Sequence, residues 1–126
     1  MGVRHYQDLV CWQLASALKK EVYALTDRAG VKADFKFCQQ VRDSARSAPS
    51  NIAEGFARYR PADFARFLEI ARASLAETDN HLLDARDLAY LSDDEHTALS
   101  LMADRASGAT TRLLLYLRQR AKTTRA

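Results

Sequence analysis

Glycine and proline are scarce, with four and two in 126 residues. That scarcity argues against an all-β fold, which needs many tight turns. Cysteine is nearly absent too. Cys11 and Cys38 sit in no CxxC or Cys/His cluster, so neither a zinc site nor a disulfide framework is expected. No apolar run approaches the roughly 18 to 20 residues of a membrane span, and the N-terminus carries no signal-peptide core. A cytoplasmic protein with reduced, buried cysteines is the expectation. The three histidines, His5, His81 and His96, are scattered and form no triad, and no phosphate-binding glycine loop occurs. A di-iron centre needs Glu-x-x-His on two helices, whereas Glu77 and His81 stand four apart with no second copy. No metal, no cofactor and no catalytic residue is therefore expected, and the chain reads as a non-enzyme.

Helix formers are what the sequence has in quantity. Apolar residues make up 48% and charged residues 28%, ordinary for one soluble domain spanning 1–126. The first helix is predicted from about Asp8 to Asp27, because Cys11, Ala15, Leu18, Val22 and Leu25 recur at 4-3-4-3 spacing. Asp8 is its expected N-cap, or at least a favourable charge at the positive end of the helix dipole, and Gly30, in a short connection over 29–33, is able to take the left-handed conformation at the exit. The second helix, 34–56, opens on Asp34 and carries the stripe Cys38, Val41, Ala45, Ala48 and Ile52. Pro49 would ordinarily break it. The stripe keeps its phase across the proline, which predicts a kink within one continuous helix. Pro61 suits the first turn of a third helix over 61–90, with the stripe Phe64, Leu68, Ala71, Leu75, Thr78, Leu82, Ala85 and Ala89. Ser92 and Glu95 form a capping box, so a fourth helix is predicted over 93–121, with Leu99, Met102, Ala106, Ala109 and Leu113 inward. Short loops between four helices predict an all-α, antiparallel up-down-up-down four-helix bundle. In such a bundle Cys11 and Cys38 lie roughly 20 Å apart, too far for a disulfide.

This topology sorts the charge. Residues 1–60 carry 10 bases and 6 acids, 61–95 carry 3 and 9, and 96–126 carry 6 and 1. One end of the rod collects Arg4, Arg58, Arg60, Arg118, Arg120, Lys122 and Arg125 together with Tyr6, Trp12, Phe56 and Tyr59. Arg58, Arg60, Arg118, Arg120 and Lys122 could meet phosphates there, with Phe56 or Tyr59 stacking on unpaired bases. The competing reading is that basic residues near helix C-termini only offset the helix dipole. Leu113 to Leu117 is apolar all round its helix, and Leu9 to Trp12 nearly so. That predicts a contact with another subunit through Trp12, Leu114, Leu115, Tyr116 and Leu117, unless these are scattered surface residues.

One polar face remains. Ser47, Asn51, Glu54 and Arg58 share a side of the second helix, and Ser74, Glu77 and His81 a side of the third. If the faces meet, they either fix helix register by hydrogen bonding or line a ligand site.

The stretch Gln40 to Gly55, QVRDSARSAPSNIAEG, resembles the signature of the four-helix-bundle proteins encoded in intervening sequences of bacterial 23S rRNA genes. Tyr6, Leu9, Trp12, Gln13, Val22 and Tyr23 extend the resemblance to the first helix. Phe64, Arg66 to Leu68, Ile70, Ala71, Ser74, Leu75 and Glu77 extend it to the third. The resemblance implies a homopentameric ring, no established enzymatic activity and a link to nucleic acid or the ribosome. That family is in turn similar to the accessory proteins of diversity-generating retroelements. Asp43 and Ser44 stand where Arg-Ala is usual, Ala73 replaces a glycine, and the Ala29–Ala33 loop replaces a Phe-Pro.

Three functions follow as expectations: a ring-forming nucleic-acid-binding accessory protein, an oligomeric scaffold for a protein partner, or a small-molecule site at the Ser47/Asn51/Glu54 face.

Overall fold

The computed structural model describes residues 2–125, with side chains described through residue 123. The side chain of Arg125 therefore lies outside the described residues. Those residues form one 3-10 turn and five α-helices, with no strand. The helices are α1 (Val10–Thr26), α2 (Ala29–Lys32), α3 (Phe35–Phe56), α4 (Pro61–Asp87) and α5 (Asp93–Arg125). Among the described residues no helix is long and apolar enough to cross a membrane.

Each of the four long helices packs on two others: α1 on α3 and α5, and α4 on α3 and α5. Their stripes meet in one core, where Leu18, Val22 and Leu25 of α1 face Val41 and Ile52 of α3, Leu68, Leu75 and Leu82 of α4, and Leu114 of α5. Burying each such side chain stabilises the fold by about 1.5 to 3 kcal/mol before entropy is counted. Cross-helix hydrogen bonds set the register. On the α3–α4 side Ser44 pairs with Thr78, and Ser47 with Ser74. On the α4–α5 side the Ser100 hydroxyl donates to Asp79 at 2.9 Å, and Arg118 reaches Glu69.

Several local expectations hold. Asp34 caps α3 by accepting from the Phe37 N–H at 3.2 Å. Ser92 and Glu95 exchange both capping-box bonds, at 3.0 and 3.1 Å. Helix α3 runs unbroken past Pro49.

Others are corrected. Asp8 does not cap α1, because Tyr6–Asp8 forms its own 3-10 turn and buried Leu9 becomes the N-cap residue. Gly30 is not left-handed; the 29–33 connection coils into the single turn α2, anchored by buried Val31. Phe37 rather than Cys38 starts the buried stripe of α3, leaving Cys38 half-buried. Helix α4 stops at Asp87, and Ala89 leaves the stripe to sit exposed with φ +61°. The Ala89 N–H bonds to the Arg86 carbonyl and the Tyr90 N–H to that of Ala85, a Schellman closure that usually takes glycine. In α5, Met102 and Leu113 are half-buried, and Ala103, Leu114 and Leu117 take the interior instead.

Candidate nucleic-acid interface and the polar face of α3

The basic end is built where α3 hands over to α4. Ala57 closes α3, and Arg60 turns extended (φ −89°, ψ 128°) so that Pro61 can open α4, where its missing N–H costs nothing. Gly55 lets this corner close tightly against Phe64 and Phe67. The last turns of α5 pass beside it. A cavity of about 240 Å³ results, lined by Phe56, Arg58, Tyr59, Arg60, Tyr116 and Arg120 among others.

These side chains differ in how they are held. Arg58 lies over the Phe67 ring, 4.7 Å from its centroid, and pairs with Glu54 at 3.4 Å. Arg120 lies 5.9 Å from the Tyr116 ring centroid and donates to its hydroxyl at 3.3 Å. Phe56 meets Phe64 edge-on at 6.2 Å. Arg60 has no carboxylate partner among the described residues, and Tyr59 is completely exposed, at 103%. Arg118 and Lys122 lie in a neighbouring cleft of about 430 Å³ between α4 and α5, with Arg66 and Glu69. Glu69 pairs with Arg118.

The five cations read from the sequence thus divide between two adjoining hollows. Glu54 and Glu69 offset two of them. The Glu54–Arg58 pair was legible from its i, i+4 spacing. Glu69 and Arg66 were not, since only the fold brings them to α5.

The expected subunit contact is redrawn. Leu114 and Leu117 point into the chain's own core, at 0% and 4% exposure, so the run is not apolar on every face. Trp12 is half-buried and edge-on to Tyr6 at 5.3 Å. Leu115 and Tyr116 remain exposed with Val10. Tyr116, Val10, Val3 and Leu113 border an apolar groove of about 470 Å³ between the start of α1 and α5.

The polar faces of α3 and α4 do meet. The Ser47 and Ser74 hydroxyls lie 2.7 Å apart, and Asn51 Nδ2 donates to the Ser47 carbonyl at 2.8 Å and its hydroxyl at 3.0 Å. The Thr78 hydroxyl contacts Ser44 Oγ at 2.9 Å and the Ser74 carbonyl at 2.8 Å. Glu54 turns away to Arg58, and exposed Glu77 stands 3.5 Å from His81 Nε2. The hydroxyls satisfy one another, which makes this face a clasp between helices. Ser44 and Thr78 were missed as members: one reads as an exchange for alanine and the other as a stripe residue.

A tighter polar network joins the connections beside the start of α3. Arg28 grips Glu95 through both guanidinium nitrogens and donates to the Tyr90 carbonyl at 3.1 Å. The Tyr90 hydroxyl donates to Asp34 Oδ2 at 2.7 Å. The Arg28 hydrogen bond, then the Ser92 N–H, pull the Glu95 carboxyl down to about 2. The Tyr90 hydroxyl, then the Phe37 N–H, lower that of Asp34. Burial pushes the Cys11 thiol up to about 11, so it is inert at neutral pH.

The family model of the 23S rRNA-intervening sequence protein matches residues 7–112. The chain belongs to that family. No curated protein matches it. The matched span holds the whole clasp, with Ser44, Ser47, Asn51, Ser74 and Thr78, and the corner from Phe56 to Pro61. Arg118, Arg120, Lys122 and the Leu114–Leu117 run fall beyond it. The α5 half of the basic end is therefore not part of the family match.

Proposed function

We propose that the chain is a non-enzymatic, cytoplasmic accessory protein that binds nucleic acid and works as a homo-oligomeric ring, a pentamer by family resemblance. Its subunit is an up-down-up-down four-helix bundle, with α3 kinked at Pro49. The antiparallel reading is supported by cross-helix partners whose numbers run oppositely, Ser44 with Thr78 and Ser47 with Ser74. The kink is supported by the lost backbone bond at Pro49. The ring is supported by the apolar groove beside exposed Val10 and Tyr116, which a second copy would cover.

The observation that carries the nucleic-acid reading is the convergence of Arg58, Arg60 and Arg120 on one cavity with Tyr59 and Phe56. Arg118 and Lys122 in the adjoining cleft extend the basic surface along α5. Guanidiniums suit phosphate because their fork gives paired hydrogen bonds. Three to five phosphates neutralised per subunit give a log–log slope of about −2 to −3.5 for a single strand. RNA affinity measured by fluorescence anisotropy from 50 to 300 mM salt should follow that slope. A flat dependence rejects the reading.

A further inference from the structure

We infer that the basic end selects unpaired nucleotides, with a base lying on the Tyr59 ring and its phosphate held by Arg60 and Arg120. The inference deepens the nucleic-acid reading above and rests on it. Its ground is the difference between Tyr59 and the other rings of the basic end. Phe56 is engaged edge-on by Phe64, Phe67 carries Arg58 and Arg66, and Tyr116 carries Arg120. Tyr59 has no ring or cation contact of this kind among the described residues and is fully exposed. A large aromatic with no packing role, on a four-residue corner between two arginines, offers both faces of its ring to a ligand.

Geometry then chooses the strand state. Bases inside a duplex are stacked on one another and present only their edges, so a protruding phenol ring finds no base face there. An unpaired base can swing onto the ring, and such stacking tolerates any base. The site is also a recess rather than a flat strip. Its volume is about 240 Å³, and Arg58, Arg60 and Arg120 all line it beside Tyr59. A smooth duplex surface would meet Arg58 and Arg60 at its backbone but would leave the recess unfilled.

The test uses the full chain with three labelled probes: a uridine 12-mer, a thymidine 12-mer and a blunt 12-base-pair RNA duplex. The wild type is expected to prefer either single strand to the duplex at equal salt. Tyr59→Ala should weaken single-strand binding about 5- to 150-fold, the range for losing one base–aromatic stack, and leave duplex binding unchanged. Tyr59→Trp should restore it. At protein concentrations that saturate either protein, a single strand carrying 2-aminopurine should be quenched by the wild type and not by Tyr59→Ala, which separates loss of the stack from loss of binding. Equal affinity of the uridine and thymidine probes assigns the contact to base and phosphate and supports the inference. Steep, salt-dependent binding that is indifferent to strandedness and to Tyr59 overturns the inference and leaves the nucleic-acid reading standing. Absence of binding by all three probes overturns both.

Discussion

Gly55 and Phe67 approach so closely that a Cβ built on the glycine would lie 2.8 Å from the Phe67 Cβ, and as far from Phe64 Cδ1. The aromatic ring of Phe64 could swing a little. The Phe67 Cβ is fixed to the α4 backbone and cannot. Gly55→Ala must therefore push α3 and α4 apart at the corner that carries Arg58 to Arg60. The expected cost is about 1 to 3 kcal/mol, read as a lower midpoint in urea denaturation. The intrinsic helix preference for alanine would by itself favour the variant by about 1 kcal/mol. A net gain in stability would show that the contact yields.

Ala89 presents the opposite case. Its φ of +61° is a conformation that costs an L-residue roughly 1 to 2 kcal/mol, and its side chain is exposed. Ala89→Gly removes that strain at an entropic cost of about 0.5 to 1 kcal/mol. A net stabilisation of about 0.5 to 1 kcal/mol is expected, measured by the same denaturation. The Schellman bonds of Ala89 and Tyr90 are backbone bonds and survive the exchange.

Acid should act through Glu95. Its folded carboxyl lies at about 2, against an ordinary 4.5. Because the folded value is depressed, the stabilisation is fully present above about 4.5 and is lost as pH falls towards 2. Asp34, lowered by Tyr90, adds to the same trend. Thermal melts from pH 6 to pH 2 should show a falling midpoint, and Arg28→Gln should flatten that fall. An unchanged pH profile in Arg28→Gln would place the effect elsewhere.

Periodicity made the four long helices legible, because each buries one stripe and a stripe survives even a proline. Capping chemistry made Asp34 and Ser92 legible, because their bonds are local. The turn over Tyr6–Asp8 and the coil of Ala29–Lys32 were hidden, since each is fixed by contacts beyond its own residues: Leu9, the Tyr6–Trp12 pair and Gln13 for the first, and buried Val31 for the second. Ala89 misled for a different reason: alanine is the strongest helix former, and only the Schellman bonds reveal that it has left the helix. At the basic end the sequence marked the cations but not their partners. Glu54 was within local reach of Arg58. The meeting of Glu69 with Arg118 depends on how α4 and α5 align, and no spacing encodes it. The inward turn of Leu114 and Leu117 was likewise invisible in a run of five apolar residues, where every phase looks alike.

The bonds among Arg28, Tyr90, Asp34 and Glu95 leave the two kinds of chain reversal unequal. Three connections are stitched together there by side-chain hydrogen bonds, whereas residues 57–60 are held by backbone turns, by Gly55 seated on α4 and by the Arg58 guanidinium over the Phe67 ring. Local opening is cheapest where fewest anchors hold. Charge-assisted bonds thus clamp the side of the fold that carries Arg28 and Glu95; if the chain binds nucleic acid as proposed, the corner at Arg58 to Arg60 is the less tethered of the two and has the greater freedom to fit a strand.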